Sequence, residues 1–176
     1  MKFKMHKTLV CFVLVAYVCC QSLTSDEKNN IVEKHNIIRT GINIFPSIPL
    51  MAWDVTLEEF ANRYASSCPN TTTSNLPLNP NRKLSDGTTV GQQIFSSTDN
   101  FDPVEGVDNW ASSSAHYNYA NNTCEQNKSC GTYTQIVWRR STRIGCARVN
   151  CLGYFFSYNL LCNYVEVGNV IGKKPY

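Results

Sequence analysis

Beyond its first twenty residues the chain carries two histidines, His35 and His116, far apart in sequence. Neutral imidazole is a common zinc ligand and a general base near neutral pH, so these positions bound the chemistry open to the protein. Two distant histidines make a poor metal site, and neither is paired with a nucleophile in the pattern hydrolysis would need. The run Ser112, Ser113, Ser114 reads as polar helix-end residues. Cysteine is the more abundant reactive side chain. Cys11, Cys19 and Cys20 lie near the amino terminus, and an even set follows: Cys68, Cys124, Cys130, Cys146, Cys151 and Cys162. An even set in a short chain suits a disulfide framework, although spacing alone leaves the pairing open. Cross-linking and binding are legible here; no catalytic residue, metal or cofactor is expected.

A disulfide framework needs an oxidising compartment, and the amino terminus supplies a route to one. Lys2, Lys4, His6 and Lys7 make a basic start, Thr8 to Val18 an apolar run, and small residues follow at Cys19, Cys20 and Ser22. The run is too short to span a bilayer, so residues 1–22 read as a cleaved signal peptide and 23–176 as one extracellular domain without a transmembrane span. Sequons at Asn70, Asn121 and Asn127 lie in polar stretches where an exported protein carries glycans. The formal charge of +3 comes from Lys2, Lys4 and Lys7; the remaining thirteen basic side chains balance thirteen acidic ones. Whole-domain charge therefore points to no nucleic-acid partner. The distribution is uneven, because from residue 128 onward Lys128, Arg139, Arg140, Arg143, Arg148, Lys173 and Lys174 face Glu166 alone. Such a run makes either a solvated surface or a basic face for anionic glycans or lipid headgroups.

Periodicity and capping give the elements that must position these residues. Thr24-Ser-Asp-Glu27 is a capping box, and Ile31, Val32, His35 and Ile38 recur at helical spacing until Gly41. Pro46 and Pro49 mark a connecting loop. Asp54 caps a second helix with the stripe Leu57, Phe60, Ala61, Tyr64, Ala65 and Cys68, so its buried face ends on a cysteine. Residues 69–90, rich in threonine, proline and asparagine, read as a long loop. Asp102-Pro-Val-Glu105 opens a third helix with Val104, Val107 and Ala111 inward and Trp110 beside them. After Cys130 the composition turns to strands, and Ile144 to Val149 with Tyr154 to Tyr164 reads as a hairpin. Helices first and antiparallel strands last define an α+β domain.

Four stretches acquire meaning together: His35-Asn-Ile-Ile-Arg39; Trp53-Asp54 with Leu57, Ala61, Tyr64, Ala65 and Cys68; GTYTQIVWRRST from Gly131 to Thr142; and CNYVEVGNVIGKKPY from Cys162. With the six cysteines they resemble the CAP (SCP/TAPS) superfamily of cysteine-rich secretory proteins, insect venom allergens and plant pathogenesis-related proteins. Within it the chain is most similar to the venom-allergen-like proteins secreted by parasitic worms. The resemblance implies an α-β-α sandwich, with helices on both sides of a central antiparallel sheet and a large cleft. It also implies three disulfides, Cys68 with Cys151, Cys124 with Cys130, and Cys146 with Cys162.

Members of this family line the cleft with two histidines and two glutamates, a set suited to zinc or another divalent cation. This sequence departs from that pattern. Thr132 stands where a histidine precedes the signature tyrosine, Gln92 where a glutamate follows Gly91, and Ser113 where a glutamate lies three residues past Trp110. No histidine lies between Cys68 and Gly91 to supply the fourth ligand. The departure implies neither metal nor enzyme; His35 reads as packing, and His116 is the one imidazole left to rebuild part of the cleft. The family also binds sterols at an aromatic loop and fatty acids in a groove between two helices. Tyr117 and Tyr119, after Trp110, resemble that loop, and a ring that is apolar on its face and polar at its tip suits a sterol. Ile31, Val32 and Ile38 with Val104 and Val107 would wall the groove, or serve as ordinary core. The expectation is a non-enzymatic domain binding sterol or fatty acid. A surface ligand for host or other extracellular proteins is the alternative, and a metal-independent hydrolase ranks last.

Overall fold

Three helices begin where the sequence places their caps. Helix α1 (Ser25–Thr40) starts at Thr24, whose hydroxyl accepts from Glu27 N while the Glu27 carboxylate accepts from Thr24 N at 2.8 Å. Helix α2 (Val55–Ala65) starts at Asp54, which accepts from Leu57 N, and α3 (Pro103–Ser112) starts at Asp102 with a reciprocal bond to Glu105. Each cap satisfies donors that a first helical turn leaves without partners. The computed structural model describes residues 20–69 and 75–176. Most of the expected signal segment and the sequon residue Asn70 lie outside the described residues.

The sheet is built on an antiparallel pair, β6 (Arg143–Asn150) and β7 (Tyr158–Val165), in register with Cys146 opposite Cys162. Strand β3 (Gly91–Ser97) runs antiparallel along the other edge of β7, from Gly91 opposite Tyr164 to Ser97 opposite Tyr158. On the outer edge of β6, β1 (Cys20–Gln21) pairs antiparallel with it; β2 (Ala52–Trp53) pairs parallel, making the sheet mixed at that point. Strand β1 falls inside the segment that the sequence assigns to the signal peptide. Alternation along the strands sorts the core into two layers. Ile144, Cys146, Leu160, Cys162 and Tyr164 pack with Ile31 of α1, Val107 and Trp110 of α3, and Ile136 of α4 (Gly131–Ile136). On the opposite face Ala147, Val149 and Leu161 pack against Ala61 and Ala65 of α2. The sheet thus lies between helical layers, as the resemblance implies.

All three disulfides join the pairs the resemblance implies, across 83, 6 and 16 residues respectively. Cys68–Cys151 ties the chain just past α2 to the end of β6. Gly145 sits where α2 begins: a side chain there would collide with the backbone of Asp54, Leu57 and Glu58. The hairpin differs in one detail from the sequence expectation. Strand β7 begins at Tyr158, so Tyr154, Phe155 and Phe156 belong to the turn before it. Among the described residues, no helix is long and apolar enough to cross a membrane.

Candidate functional site

Ile31, His35 and Arg39 recur every fourth residue of α1 and share one face, which is fully buried. His35 Nδ1 donates to Ile31 O at 2.8 Å, and Nε2 lies 3.0 Å from the Tyr164 hydroxyl. That hydroxyl is 3.1 Å from Gln93 Oε1, and Gln93 Nε2 donates to Thr132 O at 2.7 Å. The network links α1, β7, β3 and α4. Burial lowers the His35 pKa to about 4, with the Arg39 charge adding to the effect and the Ile31 carbonyl opposing it. A neutral ring with both nitrogens engaged offers no lone pair to a cation. His35 is therefore a packing residue, as its sequence context suggests.

Arg39 was visible in the sequence as part of a motif, but its task was not. Its Nε donates to Pro49 O at 2.8 Å, and its Nη1 donates to Ile136 O at 2.6 Å and Trp138 O at 3.0 Å. One guanidinium so fastens the loop after α1 to the end of α4. Burial lowers its pKa to about 10, with Arg139 adding repulsion, so it remains charged at neutral pH. The signal lay in its spacing, a cation four residues after His35 on an otherwise inward face.

Gln92, Ser113 and Thr132, the three cleft positions singled out in the sequence, come together. Gln92 and Thr132 line one cavity of about 400 Å³ with Asn75, Leu76 and Asn169. Ser113, at the end of α3, brings its hydroxyl within 2.9 Å of the Thr132 hydroxyl. Thr132 donates to Trp110 O at 3.0 Å, and Ser113 accepts from Tyr133 N at 3.1 Å. Gln92 accepts from Asn79 N at 2.7 Å and donates to Asn163 Oδ1 at 2.8 Å. Each of these polar side chains is spent on a neighbour. Among the described residues no group of three or more His, Cys, Asp or Glu side chains is placed to hold a metal ion. His116 is held instead by Glu125, 2.7 Å from its Nδ1.

The tyrosine loop is engaged from within the chain. Tyr117, on β4 (Tyr117–Asn118), donates to Asn122 Oδ1 at 2.8 Å and tilts against Tyr133 at a centroid distance of 6.0 Å. Tyr119 stacks on Tyr176 at 4.5 Å and 4° and donates to Tyr176 O at 2.6 Å. Lys174 Nζ lies 4.3 Å above the Tyr119 ring. Beside these rings, Tyr117, Trp138, Gly172, Lys173 and Pro175 border a cavity of about 230 Å³. Burial raises the Tyr117 and Tyr133 phenols, with Tyr176 adding to both. Contacts to the tail had no sequence signal, because no periodicity relates Tyr119 to Tyr176.

Between α1 and α3 the expected groove walls are mostly core. Ile31, Val107 and Trp110 are fully buried, while Val32, Ile38 and Val104 are half-buried. Lys34 and Asp108 bridge the two helices at 2.6 Å, and a hollow of about 200 Å³ remains over Ile37 and Val104. The sequon residues Asn121 and Asn127 are exposed around β5 (Thr123–Cys124).

Sheet, helical layers and cystines together define a class, and comparison with known proteins names it. The model of the cysteine-rich secretory protein (CAP) family matches residues 32–164, and the chain belongs to this family. It is 33% identical over 176 residues to pathogenesis-related protein 1C of Nicotiana tabacum, covering 99% of this chain and 94% of that protein. Venom allergen-like protein 4 of Schistosoma mansoni superposes with a TM-score of 0.67 at 23% identity, over 87% of this chain and 95% of that one. NaASP2, solved with Zn2+, superposes with a TM-score of 0.67 at 19% identity, over 89% of this chain and 87% of that one. Likeness to these two structures concerns the fold alone. The residues here do not fit zinc at the cleft, since Gln92, Ser113 and Thr132 offer an amide and two hydroxyls, poor zinc donors beside imidazole or carboxylate, and all three are hydrogen-bonded.

Proposed function

We propose that this chain is a secreted, extracellular CAP domain without enzymatic activity that binds a neutral lipid at its tyrosine loop, a sterol in preference to a fatty acid. Residues 1–22 act as the removed signal, and Asn70, Asn121 and Asn127 are glycan acceptors. The observation that carries the lipid reading is the chain of tyrosines in which Tyr117 packs on Tyr133, the Tyr133 hydroxyl meets that of Tyr176 at 3.4 Å and Tyr176 stacks on Tyr119, with Tyr117 itself on the wall of the cavity that Trp138 also lines. Such rings offer an apolar face with a polar tip, the match for a lipid bearing one hydroxyl. The cavity, about 230 Å³, is smaller than the ~300–1,000 Å³ usual for ligand sites, so residues 172–175 must yield when the lipid enters. The α1–α3 junction supports a fatty acid less well, because Ile31 and Val107 are fully buried and Lys34–Asp108 closes it.

Mass spectrometry of small molecules extracted from natively secreted protein, followed by exchange of labelled sterol and fatty acid at micromolar protein, tests this reading. Sterol exchange weakened in Tyr117→Ala and Tyr119→Ala supports it. Exchange of neither lipid class overturns it. Turnover abolished by one substitution at Gln92, Ser113 or Thr132 would overturn the non-enzymatic part.

One observation favours the second reading, a surface ligand for host or other extracellular proteins. Leu152 and Phe155, 72% and 70% exposed, stand at the hairpin tip with Phe156 edge-on to Phe155 at 4.9 Å. Exposed apolar groups gathered at one tip mark interaction surfaces. A partner complex that survives loss of Tyr117 and Tyr119 but not Phe155→Ser would decide for it.

A further inference from the structure

A second surface unites cations with exposed aliphatic side chains. Arg139, Arg140, Lys173 and Lys174 line a cavity of about 400 Å³ with Val167 and Val170 at its lip, and Glu166 is the one carboxylate side chain among its walls. That carboxylate is already paired with Arg140 Nη2 at 2.8 Å. Among the described residues, Arg139, Lys173 and Lys174 have no carboxylate partner; Arg139 instead donates to Ser47 O at 3.0 Å and Pro46 O at 2.7 Å. Carbonyl partners hold the guanidinium in place and leave its charge uncompensated.

The backbone makes the lip prominent. Val170 O accepts from Lys173 N at 3.0 Å, and Gly172 between them has φ of 75°, the conformation a type II turn demands at its third position. Ile171 occupies the second position, at the apex, and is 99% exposed. Val170 beside it is 47% exposed and Val167 is 37% exposed. A β-branched aliphatic side chain at the tip of a tight turn, with two lysines just after it, gains nothing from water. The turn itself is anchored, because Arg139 N donates to Pro175 O at 2.7 Å and Asn169 Nδ2 donates to Gly131 O at 2.8 Å.

We infer that this face docks on an anionic phospholipid membrane, with Ile171 and Val170 entering the headgroup boundary and Arg139, Arg140, Lys173 and Lys174 meeting lipid phosphates and carboxylates. Cations near an anionic leaflet add attraction that salt screens, and apolar side chains at the boundary add burial that salt does not. A sulfated glycan or nucleic acid would satisfy the charges but leave Ile171 in water, which is why the bilayer is the occupant chosen. The surface is distinct from the hairpin tip and does not depend on lipid entering the tyrosine loop.

The test is cosedimentation of the folded chain with sterol-free vesicles of phosphatidylcholine alone or mixed with phosphatidylserine. Binding is expected to the mixed vesicles, to weaken with added salt, and to fall about fivefold or more in Lys173→Glu. Ile171→Ser, which leaves the charge of the face unchanged, should also weaken binding without shifting the thermal unfolding midpoint, which separates lost insertion from lost charge and from lost fold. Absence of binding to phosphatidylserine vesicles overturns the inference. So does binding that Lys173→Glu reduces but Ile171→Ser leaves intact, the mark of a patch reading charge alone. Because the vesicles hold no sterol, failure here leaves the neutral-lipid reading standing, and failure there leaves this one.

Discussion

The inward face of α1 and the face around residues 166–174 hold similar side chains in opposite states. On the first, His35 and Arg39 are fully buried together with Tyr164 of β7 against them, and carbonyls or neighbouring side chains meet their polar groups. On the second, Arg140, Lys173 and Lys174 stand in solvent beside Ile171. Burial without a partner costs a polar group far more than exposure does, so the inner set is closed and its capacity for outside ligands is used up. The outer set keeps more of that capacity: Arg140 pairs with Glu166 and Lys174 lies over Tyr119, but among the described residues neither Lys173 nor Lys174 has a carboxylate partner. The cleft at Gln92, Ser113 and Thr132 behaves like the inner set, because all three side chains are turned on neighbours.

If that contrast is right, variants of the inner set should cost stability and variants of the outer set should cost binding. The largest stability effect should come from a cross-link that serves the buried layers. Removing Cys68–Cys151, which closes 83 residues, should cost about 4 kcal/mol in denaturant unfolding, against about 2 kcal/mol for the 6-residue loop of Cys124–Cys130. Equal losses would break the expected ranking. Next, Arg39→Met should cost about 3 kcal/mol or more, since it strands the carbonyls of Pro49, Ile136 and Trp138.

Acid titration sharpens the contrast further. His35 is held near 4 in the fold against an ordinary 6.5. Above pH 6.5 the ring is neutral in both states and its contribution is complete. Below 6.5 the unfolded chain takes a proton that the folded chain refuses, so stability falls by about 3 kcal/mol as pH drops toward 4. Unfolding midpoints measured across that window should flatten in His35→Gln; an unchanged slope would show that His35 is not the group responsible. At the small end, Asp108→Asn, which breaks the partly exposed pair with Lys34, should cost less than about 1 kcal/mol in the same assay.

The helix starts were legible because caps act locally: Thr24, Asp54 and Asp102 each bind backbone within three residues of themselves. The disulfide pairs were legible only through family resemblance, since spacing carries no pairing information. Strand β3 was missed because Gln92, Gln93, Ser96 and Ser97 look like loop. In the fold Gln92, Gln93 and Ser96 hydrogen-bond outside the ladder to Asn163, Thr132 and Asn159. Helix α4 was missed because six residues give too few turns to show a period. The ring stack of Tyr119 on Tyr176 and the Arg39 clamp were hidden for another reason: each joins distant segments through one side chain.

Gly145 carries a consequence for strand alignment. Helix α2 rests its first turn on a bare point of β6, and on that same face the next inward position is Ala147. Were β6 to slide by two residues along β7, a side chain would arrive beneath the helix and Cys146 would no longer face Cys162. A missing methyl and a cystine therefore enforce the same alignment from opposite faces of one strand, and a misaligned sheet could neither seat its helix nor close its bond.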